Sequence, residues 1–188
     1  MREDDRTDLE LVALAQAGQM CDAVAILVKR HTPLVRGVVY PMVLNHTDAD
    51  DVTQEAMVKV VRSLGSFKGN ASFSTWVYRI AANTTLNFIK RRRPQGLEGM
   101  EALALVQDAT AEQPSRRLEA EETDAAISRA MSKLSPEQRM AVSLVILQDM
   151  DEGEAAAVAG CRAATLRWRL HAARKKLKIL LKDMRAQK

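Results

Sequence analysis

Apolar residues recur every three to four positions along most of this chain, and this spacing predicts amphipathic helices. Shorter stripes predict one helix ending near Gly18, a second beginning near Asp22 and a third with Pro33 in its first turn. The two longest consecutive stripes are Val52, Ala56, Val60, Leu64 and then Phe73, Val77, Ile80, Thr84, Phe88. The first part of the chain is therefore predicted to be a bundle of amphipathic helices.

Residues with side-chain oxygens stand where several of these helices begin. Ser72 is a predicted N-cap, because its hydroxyl can accept a hydrogen bond from a free amide of the first turn. Thr47 and Asp50 have capping-box spacing, and Ser135 followed by Pro136 is a further helix start. These positions predict where the buried stripes begin.

The helical spacing is interrupted once, over residues 95–117, which contain two Gly, a Pro and mixed charges. This composition predicts a flexible linker. Residues 1–94 and 118–188 are then two small helical domains, and the fold class is all-α. Within the second domain, the helix Glu152–Ala159 and a turn with Gly160 precede a long basic helix, Ala163–Lys182. That order is typical of a helix-turn-helix.

Charge is segregated along the chain. Residues 61–95 contain seven Lys or Arg and no Asp or Glu, and residues 161–188 contain ten Lys or Arg and one acid. The segments between and before these blocks are net acidic. Two separate basic blocks predict two contacts with a polyanion. In the first block, Trp, Asn, Thr and Arg share the segment, which suits nucleic acid because amides bind base edges and aromatic rings stack on unpaired bases.

The sequence has no nucleophile–base set, phosphate-binding loop or clustered metal ligands, so we predict neither an enzyme nor a bound cofactor or metal. Cys21 and Cys161 are far apart and in no metal-binding pattern, which favours reduced thiols in the cytoplasm. No apolar run approaches the roughly 20 residues that span a bilayer. A cytoplasmic protein without membrane insertion is expected.

The string from Phe67 to Arg93 strongly resembles region 2 of the extracytoplasmic-function (ECF) sigma factors, the small promoter-recognition subunits of bacterial RNA polymerase. The resemblance lies in Phe67-Lys68-Gly69, then Ser72–Ala81, then Asn83 and the Arg run. It implies that this segment opens the −10 element and holds an unstacked base, with Asn70, Phe73 and Trp76 as the walls. The implied −10 residues are Lys68, Asn70, Phe73, Ser74, Thr75, Trp76, Arg79, Asn83, Lys90 and Arg91.

The string Asp50–Val60 (DDVTQEAMVKV) is similar to the polymerase-docking helix of the same family. An acidic and amide-bearing face does not favour DNA, which agrees with a protein partner there. Taken alone, the same pattern would equally fit a solvated face with an i,i+4 pair between Glu55 and Lys59. The implied polymerase-binding residues are Asp50, Asp51, Gln54, Glu55, Met57 and Val58.

Residues 134–174 resemble region 4 of this family at its spacing, which implies that the last helix reads the −35 element in the major groove. The implied −35 residues are Arg162, Ala163, Thr165, Arg167, Trp168, Arg169, His171, Arg174 and Lys175. The sequence also departs from the family. Asp149-Met150-Asp151-Glu152 replaces Gly-Leu-Ser-Tyr, and Ala155 and Ala159 replace large aliphatic residues. Trp168 either fills the space this leaves or contacts DNA.

Together the resemblances predict a sigma factor that binds core RNA polymerase and promoter DNA and is regulated by an anti-sigma factor. One alternative is a repressor or activator that binds duplex DNA alone, which would leave the docking signature without a role. Another is a helical adaptor or RNA-binding scaffold, which would bind any polyanion with similar affinity. Transcription with core polymerase separates the three.

Overall fold

The computed structural model describes residues 5–18, 20–92 and 127–186, and all regular structure in these residues is helical. The predicted linker, residues 95–117, lies outside the described residues. The α-helices are α1 (Asp8–Gln16), α2 (Met20–Val43), α3 (His46–Ser63), α4 (Phe73–Arg92), α5 (Pro136–Val142), α6 (Glu152–Val158) and α7 (Ala163–Ala186). A 3-10 turn, Leu64–Ser66, follows α3, and a π-helical turn, Ser143–Leu147, follows α5.

Helices α1 to α4 form the first domain, with α2 in contact with the other three. The buried face of α3 contains Val52, Ala56 and Val60, as its apolar spacing predicts. These side chains pack with Leu27 of α2 and Val77 of α4 in one apolar core. The predicted stripes therefore do face the centre of this bundle.

The prediction of two helices separated near Pro33 is wrong, because α2 is a single helix of 24 residues with Pro33 and Pro41 inside it. A proline removes one backbone donor and crowds the preceding turn. Here the turn before Pro33 gains a different bond, since the Thr32 hydroxyl donates to the Val28 carbonyl at 2.7 Å. Burial of His31 and Val35 on either side of Pro33 holds the helix together. Tertiary packing thus outweighs the local preference.

The predicted cap of α3 is also displaced. Asn45, and not Thr47, is the N-cap, and its side chain accepts a hydrogen bond from the Asp48 amide at 2.9 Å. Leu44 adopts a positive φ of 60° between α2 and α3, so the chain turns within two residues and α3 begins early. By contrast, Ser72 does cap α4, since its hydroxyl accepts from the Thr75 amide at 3.1 Å.

The second domain contains α5, the π-helical turn, α6 and α7. Ser135 caps α5 through a capping box and Pro136 is its first residue, as predicted. The described part of this domain begins with residues 127–132, which are helical. Helices α6 and α7 are joined through Gly160, whose φ of 61° allows the sharp turn of a helix-turn-helix.

The two domains pack against each other, which the sequence did not predict. Val38 and Met42 of α2 and Tyr78 and Ala82 of α4 share an apolar cluster with residues of α5, α6 and α7. The π-helical turn lies directly on α2, where the Ser143 hydroxyl donates to the Val38 carbonyl at 3.3 Å. Helix α4 is consequently buried on two sides, by its own domain and by the second one.

Candidate polymerase and nucleic-acid interfaces

A cavity of about 260 Å³ lies between the loop after α3 and the first two turns of α4. Its volume is near the lower end of the usual range for small-ligand sites, about 300–1,000 Å³. Its lining combines aromatic, amide, hydroxyl and cationic groups, which are the groups that a nucleotide contacts. The lining residues are Ser66, Phe67, Lys68, Asn70, Ala71, Thr75, Trp76, Arg79 and, from α6, Ala157.

The loop that forms one wall is fixed at its beginning by α1. The Gln16 side-chain amide donates to the carbonyl oxygens of Leu64 and Phe67 at 3.0 and 3.2 Å. Farther along, Gly69 has a φ of 73°, a conformation that side chains rarely adopt, and it turns the chain back towards α4. The loop therefore presents Lys68 and Asn70, both exposed, at the mouth of the cavity.

Three aromatic rings pack together at the cavity. The ring of Trp76 is half-buried and packs on Phe67 and Phe73, with centroids 5.3 and 5.6 Å apart. Phe73 is only 3 % exposed and does not line the cavity. The resemblance predicted that Phe73 would be a wall of the base-binding site. It is instead a core residue, and its ring contacts His31 edge-on. Phe67 takes the place in the lining that the sequence-based prediction gave to Phe73.

Thr75 and Tyr78 lie on the side of α4 that faces the second domain. The Thr75 hydroxyl donates to the Glu154 carboxylate of α6, and the Tyr78 hydroxyl donates to the Gln148 side-chain oxygen at 3.2 Å. Burial raises the pKa of Tyr78, and the nearby negative charge of Glu154 raises it further. Thr75, predicted on the nucleic-acid face, is therefore buried beneath α6.

The remaining residues predicted to contact the −10 element occupy different environments along α4. Ser74 is half-buried, whereas Arg79, Asn83 and Lys90 are exposed. Arg91, at the end of the helix, is also exposed but turns to α3, where its guanidinium contacts the Glu55 carboxylate at 3.3 Å. The structure thus brings Arg79 into the cavity and leaves Asn83, Lys90 and Arg91 outside its lining.

The outer surface of α3 presents Asp51, Gln54 and Val58 together, because residues three and four apart share one face of a helix. All three are exposed, with Val58 43 % exposed although it is apolar. Asp50 is exposed as well, and its carboxylate accepts from Arg36 Nε at 2.7 Å. These residues form the predicted docking face of α3, a surface with both polar and apolar groups.

Met57 does not belong to this docking face. Its side chain is 6 % exposed and contributes to the core with the α3 residues Val52 and Val60. The resemblance assigned it to polymerase binding, but it lies on the buried side of the helix. Its place three residues before Val60 and five after Val52 puts it at the edge of the stripe, where a sequence pattern alone does not decide the direction.

Glu55 lies at the border of the docking face and is held by two cations. Lys59 Nζ donates to its carboxylate at 2.7 Å, and Arg91 contacts the other oxygen. The hydrogen bond from Lys59 lowers the pKa of Glu55, with a smaller contribution from the charge of Arg91. Arg92 pairs in the same way with Asp48. The basic end of α4 is thereby anchored to the acidic helix α3.

Helix α7 buries Leu166, Leu170 and Ala173 and turns the opposite face outwards. Since residues three or four apart are neighbours on a helix, Ala164, Trp168, His171 and Lys175 form the stripe farthest from the core. The predicted −35 residues that are exposed are Arg162, Thr165, Arg167, Trp168, His171, Arg174 and Lys175, while Ala163 and Arg169 are half-buried. The second domain thus presents a continuous basic surface.

Trp168 is 68 % exposed, so it does not fill space left by the small residues Ala155 and Ala159. Of the two alternatives for this residue, the structure excludes packing within its own domain. Arg167, one position earlier, pairs through Nε with Glu152 of α6 at 3.0 Å, which orients its guanidinium beside the helix start.

The segment that departs from the family pattern has a consistent local structure. Asp149 adopts a φ of 50°, a conformation that Asp tolerates better than most residues. Asp151 replaces Ser as the N-cap of α6 and accepts from the Gly153 amide at 2.7 Å. The acidic replacements therefore preserve the turn and the cap, and they place extra negative charge at the start of α6.

Among the residues that the structure describes, no group of His, Cys, Asp and Glu has the arrangement of a metal site. None of the helices in these ranges has the length and hydropathy that a bilayer crossing requires. Ala157 and Phe67 line the cavity but were not predicted to do so. Phe67 stands beside Lys68 in the recognised motif, whereas no local signal connects Ala157 to a cavity 80 residues earlier in the chain.

Comparison with known proteins agrees with the division of the chain into two helical domains. Residues 27–95 match the sigma-70 region 2 family, and residues 124–177 match sigma-70 region 4. The chain is 34 % identical to the ECF RNA polymerase sigma-E factor of Escherichia coli K12, with 89 % of this chain and 91 % of that protein covered. It is 31 % identical to the RNA polymerase sigma-H factor of Pseudomonas aeruginosa, with 89 % and 90 % covered.

Two solved structures share the arrangement. CnrH in complex with the cytosolic domain of CnrY is 26 % identical, with a TM-score of 0.70 over 94 % of this chain and 97 % of that one. Sigma factor RpoE in complex with the anti-sigma factor NepR from Bartonella quintana is 23 % identical and shares the fold, with a TM-score of 0.61 over 82 % and 94 %. With both regions in order and a sigma-E relative aligned over nine-tenths of its length, the chain belongs to the sigma-70 family as an ECF sigma factor, a promoter-recognition subunit of bacterial RNA polymerase.

Proposed function

We propose that residues 1–94 dock on core polymerase and open the −10 element, while residues 118–188 read the −35 element. The chain then acts in the cytoplasm, where its polymerase and promoter partners are. The observation that carries this proposal is the cavity beside Trp76, which combines an aromatic wall with Lys68, Asn70 and Arg79 in a segment without carboxylates. A repressor that binds only duplex DNA would leave this cavity without a role.

Docking on polymerase is assigned to the face of α3 formed by Asp51, Gln54 and Val58. Acidic and amide groups favour a basic or polar protein surface, and the exposed Val58 supplies apolar area. Glu55 contributes at the border of this face once a stronger cationic partner competes with Lys59 and Arg91. The proposal leaves Met57 with a purely structural role.

Base capture is assigned to the cavity. An unstacked base of the displaced strand would stack on the open side of the Trp76 ring, and Asn70 would contact its edge. Extracting a base from the duplex costs a few kcal/mol, which stacking and polymerase binding must offset. Lys68 and Arg79 at the rim would neutralise the flanking phosphates.

Reading of the −35 element is assigned to the first half of α7. A helix in the major groove contacts bases mainly with its N-terminal residues, here Arg162, Thr165, Arg167 and Trp168. Arg174 and Lys175 lie farther along and would contact phosphates. The exposed ring of Trp168 can pack on a thymine methyl group, an apolar feature of the major groove.

An anti-sigma factor is the proposed regulatory partner. The similar fold of CnrH was solved with the cytosolic domain of CnrY, and that of RpoE was solved with the anti-sigma factor NepR. Both likenesses cover more than four-fifths of this chain, so each of these complexes contains counterparts of both domains.

Run-off transcription with core polymerase and Trp76→Ala tests the central assignment. We expect the variant to lose roughly 1–3 kcal/mol in the open complex, because stacking on the displaced base is lost. The closed complex, held by phosphates and α7, should be almost unaffected. A promoter with a pre-melted bubble at −10 should then restore much of the activity.

Two controls separate base capture from simple damage to the fold. Trp76→Phe retains an aromatic ring against Phe67 and should retain most of the activity. Trp168→Ala removes the other Trp and should weaken closed binding without any rescue by the bubble. A Trp76→Ala protein that melts at a lower temperature and gains nothing from the bubble would show that Trp76 is only a packing residue.

A further inference from the structure

The second domain covers the cavity that the proposed function assigns to the captured base. Ala157 of α6 lines the cavity together with Thr75 and Trp76 of α4. The Glu154 carboxylate accepts a hydrogen bond from the hydroxyl of Thr75, a residue that lines the cavity. A helix from the −35 domain therefore occupies one side of the −10 site.

Contacts around the cavity hold the domains in this position. The Tyr78 hydroxyl donates to the Gln148 side-chain oxygen at 3.2 Å, one turn along α4 from Thr75. The Gln148 amide also lies against Gly37 of α2, where a Cβ atom would come within 2.8 Å of Gln148 Nε2. Next to it, Ser143 donates to the Val38 carbonyl. Together these contacts form a polar rim around the apolar interdomain cluster.

In the contact between α6 and α4, the acidic first turn of α6 offers α4 groups similar to those of a nucleic acid. The first turn of α6 contains Glu152 and Glu154, and its cap is Asp151. This acidic turn lies against α4, within a segment, residues 61–95, that has seven cations and no carboxylate. Glu154 supplies Thr75 with an oxygen acceptor, as a phosphate or a base carbonyl would. A nucleotide bound in the cavity would therefore compete with this carboxylate for the Thr75 hydroxyl.

The closed arrangement cannot read both promoter elements at once. By their numbering the elements are about 25 base pairs apart, or about 85 Å at 3.4 Å per base pair. Five Cα steps connect Val158 to Ala163, which places the start of α7 within about 19 Å of α6. The 24 residues of α7 add about 36 Å. Even the far end of α7 is therefore too close to the cavity.

We propose that α6 is a lid on the −10 cavity, held by the Glu154–Thr75 and Gln148–Tyr78 hydrogen bonds, which keeps the free sigma factor from capturing single-stranded DNA. Separation of the domains, which promoter binding requires, removes Glu154 and Ala157 from the cavity. Binding to polymerase and capture of the base are thereby linked, since the cavity is open only in the extended chain. This inference rests on the proposed role of the cavity.

The test uses the full-length protein with changes in the second domain only. Trp168→Phe is introduced first, because the chain has two Trp and Trp76 then becomes the only one. Glu154→Gln and Gln148→Ala are added to this background. Glu137→Gln is the matched control, since it removes the same charge from α5 in the same domain, at a residue outside the cavity lining.

Two quantities are measured: quenching of Trp76 fluorescence by acrylamide, and binding of a fluorescein-labelled 12-nucleotide oligo-dT to the free protein. We expect Glu154→Gln and Gln148→Ala to make Trp76 more accessible and to tighten oligonucleotide binding about five-fold. Glu137→Gln should match the parent protein. In the complex with core polymerase, where the domains are already apart, the variants and the parent protein should bind the oligonucleotide with equal affinity.

Three results would overturn the lid. The Glu154 and Gln148 variants could bind the oligonucleotide no more tightly than the parent, Glu137→Gln could give the same gain through net charge alone, or the gain could persist with polymerase. Failure of the base-capture role has a different signature. In that case Trp76→Ala would bind the oligonucleotide as well as the parent does, whichever lid variant carries it.

Discussion

At the scale of single residues, two buried threonine hydroxyls in the first domain differ in whether they have a hydrogen-bond partner. Thr53 of α3 is 4 % exposed, and its hydroxyl has no hydrogen-bond partner among the described residues. Thr85 of α4 is fully buried, and its hydroxyl donates to the Ala81 carbonyl at 2.8 Å. A buried unsatisfied hydroxyl costs about 1–3 kcal/mol, whereas a satisfied one contributes to stability.

Thr53→Val should therefore raise the free energy of unfolding by about 1 kcal/mol, because valine keeps the shape and removes the unsatisfied oxygen. Thr85→Val makes the same chemical change where the hydroxyl is bonded, and it should give no gain. Urea denaturation of both variants measures the difference. A Thr53→Val protein less stable than the parent would mean that the hydroxyl has a partner in solution.

At the scale of elements, the stripes of α3 and α4 and the caps of α4 and α5 could be predicted, because each depends on residues within one or two turns. Three features could not. Pro33 lies inside α2 since packing on both sides overrides its local preference, and Met57 sits at the edge of a stripe. Thr75 is buried by a helix 79 residues away, which no local pattern reports.

The docking face of α3 and its buried side should respond differently to truncation. Gln54→Ala combined with Asp51→Ala should abolish binding of core polymerase and leave the melting temperature unchanged, because both side chains are exposed. Met57→Ala should cost about 2–5 kcal/mol of stability through the cavity it leaves. A pull-down of core polymerase and a thermal melt of each protein separate the two roles.

Normal recovery of polymerase by the Asp51 and Gln54 double variant would contradict the assignment of this face. A Met57→Ala protein of unchanged stability that fails to bind polymerase would instead return Met57 to the interface.

Helix α7, the proposed recognition helix, should show two kinds of contact with promoter DNA. Arg167→Ala should cost about 1–3 kcal/mol and relax the preference at one −35 position. Lys175→Ala should weaken binding to all sequences alike and reduce the salt dependence by about one unit. Binding to a set of single-position −35 variants at several salt concentrations measures both. Equal and uniform losses for the two variants would exclude direct readout by Arg167.

At the scale of the whole molecule, the two domains are one packing unit in this arrangement. Met42 of α2 is fully buried in a cluster that is mostly made of second-domain residues, whereas Leu27 of the same helix belongs to the core of the first domain. Since shared burial couples the unfolding of two domains, the closed form should unfold in a single cooperative transition.

Met42→Ala should remove part of that coupling. We expect a loss of about 2–5 kcal/mol and a calorimetric transition that separates into two. Leu27→Ala should cost a similar amount of stability. Its calorimetric transition should stay single, because this change leaves the interface between the domains intact. Two separate transitions in the parent protein would show that the domains are not coupled in solution.

Gly37 has a consequence for how this sequence can change over generations. The Gln148 amide occupies the space that a side chain at position 37 would need, although the two residues are 111 positions apart in the chain. A side chain at position 37 would therefore displace the flexible end of Gln148, which can swing away at the cost of its hydrogen bond with Tyr78. Relatives with a side chain at position 37 should therefore lack the contact between residues 148 and 78, whereas relatives with glycine at 37 can keep it.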